Sequence, residues 1–505
     1  MKKYDLLKVL GITFIVLIVL SWLIVPGSLA SGEYVAADSR IPIGLFDLFR
    51  LPVLTIGTFF QIGIVLLVIG GFYGVINKTG VYGRIVEGCS KFSSKKFLLI
   101  TMIYLIVLSS LFALTWVLFI FVPFLVAVLL KQGYNKVTAL AATVGSILIG
   151  LVTSTYGFGI NGYIINLLNL GVSYQIITKL VFLVVIGGFY IFFVMKYANL
   201  KQISKGKKDS KKKESKSSKK DNKKDSKKDN KKDKKEEIKS DKKEEFQIPL
   251  YIEAPAKKRS VLPLIIIAIL SIILLLIGLY NFYYSFGIEM FQDFHTKVIE
   301  IELGGFDIFA KILGTSNPIG YWSNYELCSI LMFACLVIGL VYRLKLSEII
   351  DGFALGAKQM LKPALYAVLA NIVFTFIVTG GNGNTINDAI VNAVLSISGH
   401  FNIALSALGA AVGSIFYNDF YYLIYSVTGY YQALDLGTSK LEIVGLLYQA
   451  IYGLFMLFLP TSVALIAGLS YLNVSYKEWL KYIWKFLLAL FVIIIIFIVV
   501  TMIFM

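Results

Sequence analysis

Long apolar runs separated by short polar loops fill both ends of the chain. A membrane-spanning helix needs about 20 apolar residues. Runs close to that length predict transmembrane helices at 7–26, 53–77, 176–197, 261–281, 327–342, 363–379 and 482–504. The apolar pattern stops over residues 199–259, where Lys, Asp, Asn and Ser recur, and such a segment cannot bury a core. We therefore predict an N-terminal membrane repeat (1–198), a disordered linker (199–259) and a C-terminal membrane repeat (260–505).

Two further apolar runs predict re-entrant hairpins. Residues 97–131 are too long for one crossing, and the loops at both ends carry basic residues, which places both ends on one face. A segment that enters and leaves on one face must turn inside the protein, and we place its tip near Ala113 to Trp116. Residues 402–433 predict a second hairpin that enters from the opposite face, with Asn418 and Asp419 at its tip.

Two runs have the pattern of broken helices. Residues 137–170 are interrupted by Thr-Ser-Thr-Tyr-Gly-Phe-Gly at 153–159, and residues 443–472 by Leu-Pro-Thr-Ser at 459–462. Hydroxyl residues, glycine and proline at that depth indicate discontinuous helices. The order span, span, hairpin, broken helix, span occurs twice in opposite orientation. The predicted fold is an all-α polytopic membrane protein, with about nine transmembrane helices and two re-entrant hairpins in an inverted repeat, as in secondary transporters.

Composition and charge support this class. Hydrophobic residues at 57%, charged residues at 15% and a mean hydropathy of +0.78 exclude an ordinary soluble enzyme. Of the net charge of +18, the segment 201–260 contributes +12, from 24 Lys/Arg and 12 Asp/Glu. This basic tract lacks interleaved aromatic residues, so we expect no nucleic acid partner. The excess of basic residues predicts that the N-terminus and the linker are cytoplasmic.

Few residues suggest metal or cofactor chemistry. The cysteines Cys89, Cys328 and Cys335 have no metal-ligand spacing, and His295 and His400 stand alone. We therefore expect no metal site and no cofactor, although bound sodium or a proton is compatible with transport. The chain has no phosphate-binding Gly-x4-Gly-Lys-Ser/Thr motif. The energy for transport would then come from an ion or solute gradient.

Asp419 is the strongest candidate for a binding role. A carboxylate at the tip of a membrane hairpin is costly unless it is paired or faces water. In such a position Asp419, with Asn418 beside it, could hold a proton, a sodium ion or the ammonium group of an amino acid. The alternative is a shallower hairpin in which Asp419 is an interfacial turn residue.

The helix breaks and nearby aromatic residues supply the other candidates. Half-helix ends at a break attract ions and carboxylates, and the hydroxyl residues there are Thr153, Ser154, Thr155, Thr461 and Ser462. The alternative is a simple kink whose hydroxyls bond to their own helix. A pocket attractive to cations could also be lined by aromatic faces and one amide, from Trp116, Tyr417, Tyr452 and Gln449. The alternative for these is ordinary packing or lipid contact.

Several segments, in their order and spacing, resemble a known family. They are Gly133-Tyr-Asn-Lys-Val-Thr-Ala139, Val194-Met-Lys-Tyr-Ala198 ahead of the Lys-rich linker, Glu348-Ile-Ile-Asp-Gly-Phe-Ala-Leu-Gly-Ala-Lys358, Leu459-Pro-Thr-Ser462 and Tyr476-Lys-Glu-Trp-Leu-Lys481. They resemble the YfcC-like carriers, which belong with the four-carbon dicarboxylate anaerobic carriers in the ion-transporter superfamily. The resemblance implies secondary transport of small carboxylates or amino acids across the inner membrane, including arginine/ornithine exchange in some members.

The chain departs from the family pattern at positions that the resemblance would place around substrate and ion. Gln449 and Gly453 keep their distances from Pro460. The acidic pair of the first hairpin is replaced by Trp116 and Val117. Polar residues of the second broken helix are replaced at Tyr452, Phe455 and Met456, and the first break matches only at Ser154 and Thr155.

These observations predict a secondary active transporter of a small organic solute working by alternating access. The lost acidic and amide pattern favours an amino acid, with exchange of basic amino acids included. Two alternatives stay open: a carrier of dicarboxylates or short carboxylates coupled to sodium or protons, and a channel or non-catalytic membrane scaffold. The sequence contains no cluster of catalytic residues of the kind that would indicate an enzyme.

We place the protein in a bacterial inner membrane, with the solute and the lipid bilayer as partners. The oligomeric state, a homodimer included, and cleavage of the N-terminal segment stay open.

Overall fold

The computed structural model describes residues 5–30, 33–37, 44–47, 49–50, 56–198, 248–252, 259–378 and 385–504. Its first half contains the helices α1 Asp5–Leu23, α2 Ile56–Lys78, α3 Tyr82–Ser90, α4 Ser94–Phe112, α5 Thr115–Phe119, α6 Val122–Lys131, α7 Lys136–Leu140, α8 Ser146–Val152, α9 Tyr163–Leu168 and α10 Ile176–Tyr197. Two π-helical turns, Ala141–Gly145 and Phe158–Gly162, precede α8 and α9.

The second half is built in the same way from helices of very different length. They are α11 Leu262–Leu279, α12 Phe282–Phe286, α13 Met290–Ile299, α14 Ile308–Leu313, α15 Asn324–Val341, α16 Leu346–Val378, α17 Ile386–Leu395, α18 Ile403–Phe416, α19 Phe420–Ala433, α20 Thr438–Met456, α21 Val463–Leu472 and α22 Tyr476–Ile503. Capping boxes begin α15 and α22, at Ser323 with Glu326 and at Ser475 with Glu478.

Seven helices within the described ranges are long and apolar enough to cross a membrane: α1, α2, α4, α10, α11, α15 and α22. Six of them coincide with predicted transmembrane runs. The seventh, α4, was expected as the first arm of a hairpin. The described part of the run predicted at 363–379, which ends at Val378, belongs to the 33-residue helix α16, and this helix continues through Pro363. The chain is a mostly helical, multi-pass membrane protein, and the total of about nine crossings stays a prediction.

Both predicted hairpins have a turn at the predicted place. After α4, Ala113 takes the left-handed conformation (φ +52°), and α5 and α6 lead the chain back. In the second hairpin α18 and α19 have 14 residues each. At 1.5 Å per residue they are about 21 Å long, less than the roughly 30 Å of a bilayer core. With 19 residues, α4 is long enough to cross. Re-entrance into the membrane therefore stays a prediction for both hairpins.

The all-α prediction misses one short β-hairpin. Strands β1 (Gly27–Ala30) and β2 (Glu33–Ala36) pair in antiparallel register. Gly27 also exchanges backbone hydrogen bonds with Thr385, just before α17, over 2.8 and 3.2 Å. These strands contain no long apolar run, so the hydropathy pattern did not reveal them.

The predicted linker divides into two parts. Residues 199–247 and 253–258 lie outside the described residues, so the prediction of disorder stays untested there. Residues 248–252 were wrongly included in the disordered segment, because Leu250 is only 1% exposed and its backbone is hydrogen-bonded to two helices. The apolar sequence Ile-Pro-Leu-Tyr-Ile ends the Lys-rich pattern, and its side chains pack on the helical body.

Glycines allow α2 and α16 to pack with their backbones in contact. A Cβ atom built on Gly74 would lie 2.0 Å from the carbonyl oxygen of Gly352. One built on Gly356 would lie 2.0 Å from the carbonyl oxygen of Gly70. On each helix the two glycines are four residues apart, the spacing with which small residues let membrane helices approach closely. This pair joins the first half of the chain to the second.

Substitution at this contact tests its importance. Gly74→Ala should lower the melting temperature of the detergent-purified protein by several degrees, because the added methyl group forces the two backbones apart at a cost of about 1–3 kcal/mol. Gly188→Ala on α10 is the matched control, since a Cβ there meets nothing within 4 Å. Equal melting temperatures for the two variants would show that the contact is not tight.

Candidate functional site

A cavity of about 430 Å³ lies where the two hairpin tips meet the two helix breaks. The first hairpin contributes residues 113–117, and the second contributes 418–420 and Tyr422. The second part of the first broken helix contributes Gly159, Ile160 and Tyr163, and the second break contributes 462–464. The cavity thus brings together four segments that are far apart in the sequence.

The cavity wall combines neutral polar groups with one acid. Four side-chain amides face it from four different elements, namely Gln61, Asn324, Asn371 and Asn418. Hydroxyl groups come from Thr115 and Ser462 among others. Asp419 is the only charged residue among the described lining residues. It caps α19 by accepting the backbone N–H of Tyr421 at 2.9 Å, and its side chain is exposed to the cavity.

The start of α21 supplies further hydrogen-bond donors. This helix begins at Val463, and Val463 and Ala464 both line the cavity. The first backbone N–H groups of a helix have no partner within the helix, and they lie at the positive end of its dipole. A helix start that opens into a cavity is a favourable place for a carboxylate.

The first break is held by side chains from other helices. Gln449 on α20 is 1% exposed, and its amide donates to the carbonyl oxygens of Ser154 at 2.7 Å and Val152 at 3.3 Å. Ser110, near the hairpin tip, donates to the carbonyl of Thr153 at 2.7 Å. The carbonyl of Ser110 in turn accepts the backbone N–H of Thr155 at 2.9 Å. Polar backbone groups freed by the break are therefore satisfied inside the protein, as a membrane requires.

The second break is held mainly by α22. Trp479 donates its ring N–H to the carbonyl of Leu457 at 2.8 Å, and the Tyr476 hydroxyl donates to the carbonyl of Phe458. On the other side, the Thr461 hydroxyl donates to the carbonyl of Ile415, at the end of α18, over 3.3 Å. The second break is thereby tied to the second hairpin.

The structure separates the predicted site residues into two groups. Those that line the cavity are Trp116, Asn418, Asp419, Tyr452 and Ser462. Those that lie behind its wall and support it are Thr153, Ser154, Thr155, Tyr417, Gln449, Gly453 and Thr461. Tyr452 links the two groups, because its hydroxyl donates to the carbonyl of Asn418 at 2.8 Å.

Three of the supporting residues have clear structural roles. Thr153 donates to the carbonyl of Ile149 at 3.1 Å in its own helix. This bond is the one expected for a simple kink, in which the hydroxyl bonds to its own helix. Gly453 is where α20 crosses α8, since a Cβ there would lie 2.5 Å from the Cα atom of Val152. Tyr417 is 3% exposed, and its hydroxyl lies 3.2 Å from the Asp388 carboxylate, away from the cavity lining. A role for Tyr417 in facing the solute is therefore not supported by its position.

Sequence reasoning missed two sets of residues that build the candidate site. Ser109 and Ser110 end the apolar run of α4, and they hydrogen-bond to the carbonyls of Ile147 and Thr153 at 2.7 Å each. The adjacent serines at the end of an apolar run were the available signal. The lining amides Gln61, Asn324 and Asn371 belong to helices that were treated as plain spans. An isolated amide within or beside a transmembrane run was the signal for these.

A fold of apolar helices around a cavity that carries several polar side chains is typical of a membrane transport protein. The family model described as the C4-dicarboxylate anaerobic carrier (DcuC) matches residues 51–418 and 433–503, which is most of the chain. The chain belongs to this family. Comparison with curated proteins and with solved structures returns no match.

The family match confirms the broader resemblance and leaves its finer part as a prediction. It does not show whether the chain belongs with the YfcC-like members or with the members that exchange arginine and ornithine. A family of dicarboxylate carriers favours the dicarboxylate alternative over the amino acid that the lost polar pattern had suggested. The match omits 419–432, which contain Asp419 and nearly all of α19. The lone acid of the cavity therefore lies outside the matched region.

Removing the Gln449 amide tests how the first break is held. Gln449→Met should leave the carbonyls of Val152 and Ser154 without a side-chain donor, which costs about 1–3 kcal/mol for a buried polar group. We expect a clear drop in the melting temperature of the purified protein. The matched control is Gln432→Met, because Gln432 is exposed and its amide lies 3.4 Å from its partner, the carbonyl of Leu167. A drop of the same size in both variants would contradict this role.

Proposed function

We propose that this protein is a secondary carrier that moves a four-carbon dicarboxylate across a bacterial inner membrane by alternating access. The observation that carries the proposal is the cavity lined by residues of both hairpin tips and both broken helices. Its volume of about 430 Å³ fits a small organic solute, because ligand pockets commonly have volumes of about 300–1,000 Å³. Family membership supports the substrate class.

Neutral donors would bind the two carboxylates. The amide groups of Gln61, Asn324 and Asn371 can each donate hydrogen bonds to carboxylate oxygens. The start of α21 at Val463 offers unpaired backbone N–H groups and the positive end of a helix dipole. A dicarboxylate could place one carboxylate at this helix start and the other among the amides.

Asp419 makes a bound cation part of the proposal. The described lining contains no Lys or Arg, and a dianion beside the Asp419 carboxylate would be repelled. A sodium ion or a proton on Asp419 removes this repulsion, and the neighbouring Asn418 offers a further oxygen ligand. We therefore propose cation-coupled transport, with Asp419 as the residue that binds the cation.

One observation keeps a second substrate class in view. A lone carboxylate facing a cavity would also attract the ammonium group of an amino acid. Asp419 lies outside the region that matches the family model, so its partner need not be common to the family. Aspartate combines two carboxylates and four carbons with an ammonium group, and arginine represents the basic amino acids.

A counterflow experiment tests the function and separates these classes. Proteoliposomes loaded with succinate should take up labelled succinate with saturation and trans-stimulation, since a carrier binds its solute in both access states. Fumarate should compete and arginine should not. Flux that does not saturate and is not trans-stimulated would indicate the channel alternative. Competition by aspartate or arginine in preference to fumarate would show that the substrate is an amino acid.

Substitution of the cavity acid tests cation coupling. Asp419→Asn should lower succinate uptake by about tenfold or more and abolish its dependence on sodium or on the proton gradient, because the amide cannot hold the cation. Asp435→Asn is the matched control, since Asp435 is an exposed residue beyond the end of α19. Uptake by Asp419→Asn that keeps the cation dependence of the native protein would refute the role of Asp419.

A further inference from the structure

A short segment near the end of the predicted linker occupies a groove on one end of the molecule. We name residues 248–252 the strap. They lie against the face that carries Lys78, Arg84 and Lys131, which the charge pattern predicts to be cytoplasmic. Leu250 is the apolar anchor, with a relative exposure of 1%. Its backbone is left-handed (φ +54°), a conformation that a leucine keeps only where surrounding contacts hold it.

The strap is recognised through its main chain. Asn77 on α2 donates to the carbonyl of Leu250 at 3.0 Å and accepts the N–H of Ile252 at 3.1 Å. Gln359 on α16 accepts the N–H of Leu250 at 2.8 Å. The Tyr471 hydroxyl on α21 donates to the carbonyl of Pro249 at 3.3 Å. These hydrogen bonds hold the strap through its peptide groups in a turn, which is closed by the N–H of Tyr251 and the carbonyl of Ile248 at 3.3 Å.

One side chain of the strap extends these contacts to α6. Lys131 at the end of α6 donates to the Tyr251 hydroxyl at 2.7 Å, and its ammonium group lies 5.0 Å from the centre of the Tyr251 ring. Tyr82 on α3 meets the same ring edge to face at 6.1 Å. The binding groove therefore receives residues from both halves of the chain.

We propose that this groove is an intramolecular peptide-binding site, and that the docked strap restrains the movement of the surrounding helices α6 and α21 relative to the packed pair α2 and α16. Asn77 and Gln359 lie on α2 and α16, which pack with their backbones in contact, whereas Lys131 lies on α6 and Tyr471 on α21. A segment bonded to all four must lose some of these bonds when the parts that carry them move apart. The restraint on transport rests on the proposed function, whereas the docking itself does not.

Thiol labelling measures the docking without any transport assay. In a background with Cys89, Cys328 and Cys335 replaced by Ser, Leu250→Cys should react with a polyethylene glycol maleimide about tenfold more slowly than Phe92→Cys, because a buried thiol reacts only after local opening. Phe92 is 66% exposed in the loop between α3 and α4. Adding Asn77→Ala should raise the rate of Leu250→Cys toward that of Phe92→Cys.

Two controls keep this experiment decisive. Gln132→Ala removes a polar side chain on the same face of the molecule. The Gln132 amide donates to the carbonyl of Phe92 and not to the strap, so this substitution should leave the labelling rate of Leu250→Cys unchanged. Hydrogen exchange of the native chain should show slow exchange for the N–H groups of Leu250 and Ile252, and Asn77→Ala should abolish it. Rapid labelling and rapid exchange in the native strap would overturn the docking site.

The restraint is tested by succinate counterflow in proteoliposomes with the native cysteines. Asn77→Ala should raise the initial rate about two- to fivefold while Gln132→Ala leaves it unchanged, since opening of the strap would no longer precede each movement. The restraint would be overturned if Asn77→Ala releases the strap and keeps the native melting temperature, but its initial rate of succinate counterflow is unchanged or lower. If the native protein moves no succinate, the proposed function fails, and the labelling result still decides whether the site exists.

Discussion

The structure depends on satisfying the polar backbone groups that two broken helices expose inside a membrane. Lipid offers no hydrogen-bond partner, so each carbonyl or N–H freed at a break must find one within the protein or line a cavity. Gln449 and Ser110 supply partners at the first break, and Trp479 and Tyr476 supply them at the second. Because these side chains come from other helices, the breaks exist only in the assembled fold.

This requirement also shapes the cavity. The groups that hold the breaks come from α4, α20 and α22, and the cavity is lined by the helical segments that follow the breaks, at Gly159, Ile160 and 462–464. Gly157 contributes to this arrangement at the first break, because a Cβ there would lie 2.5 Å from the Cβ of Ala113 at the hairpin tip. Tyr452 and Thr461 then fix the second hairpin against the second broken helix. A cavity with a mixed polar and apolar wall is left among the helices, with a single acid in its described lining.

Much of the fold and part of the site could be predicted from the sequence. Hydropathy located six helices that are long enough to cross a membrane, and interruptions by hydroxyl residues, glycine and proline located both breaks. Asp419, Asn418 and Ser462 were expected near solute and lie at the cavity. The lining amides of α2, α15 and α16 were not expected, because one amide in an apolar run gives no sign of the direction in which it faces. Nor did the glycine pattern alone show that α2 meets α16.

The sequence by itself determined the class of this protein as a multi-pass membrane protein and the positions at which two helices break, and it predicts a division into two membrane repeats. These properties follow from local composition, because the length and polarity of a run decide whether it can cross a bilayer. Only the tertiary structure decided which residues face the cavity and which support it from behind. It also removed Ile-Pro-Leu-Tyr-Ile at 248–252 from the predicted linker. Those distinctions depend on contacts such as that of Gln449 with the carbonyl of Ser154, between residues almost 300 positions apart, and no local pattern encodes which distant segments meet.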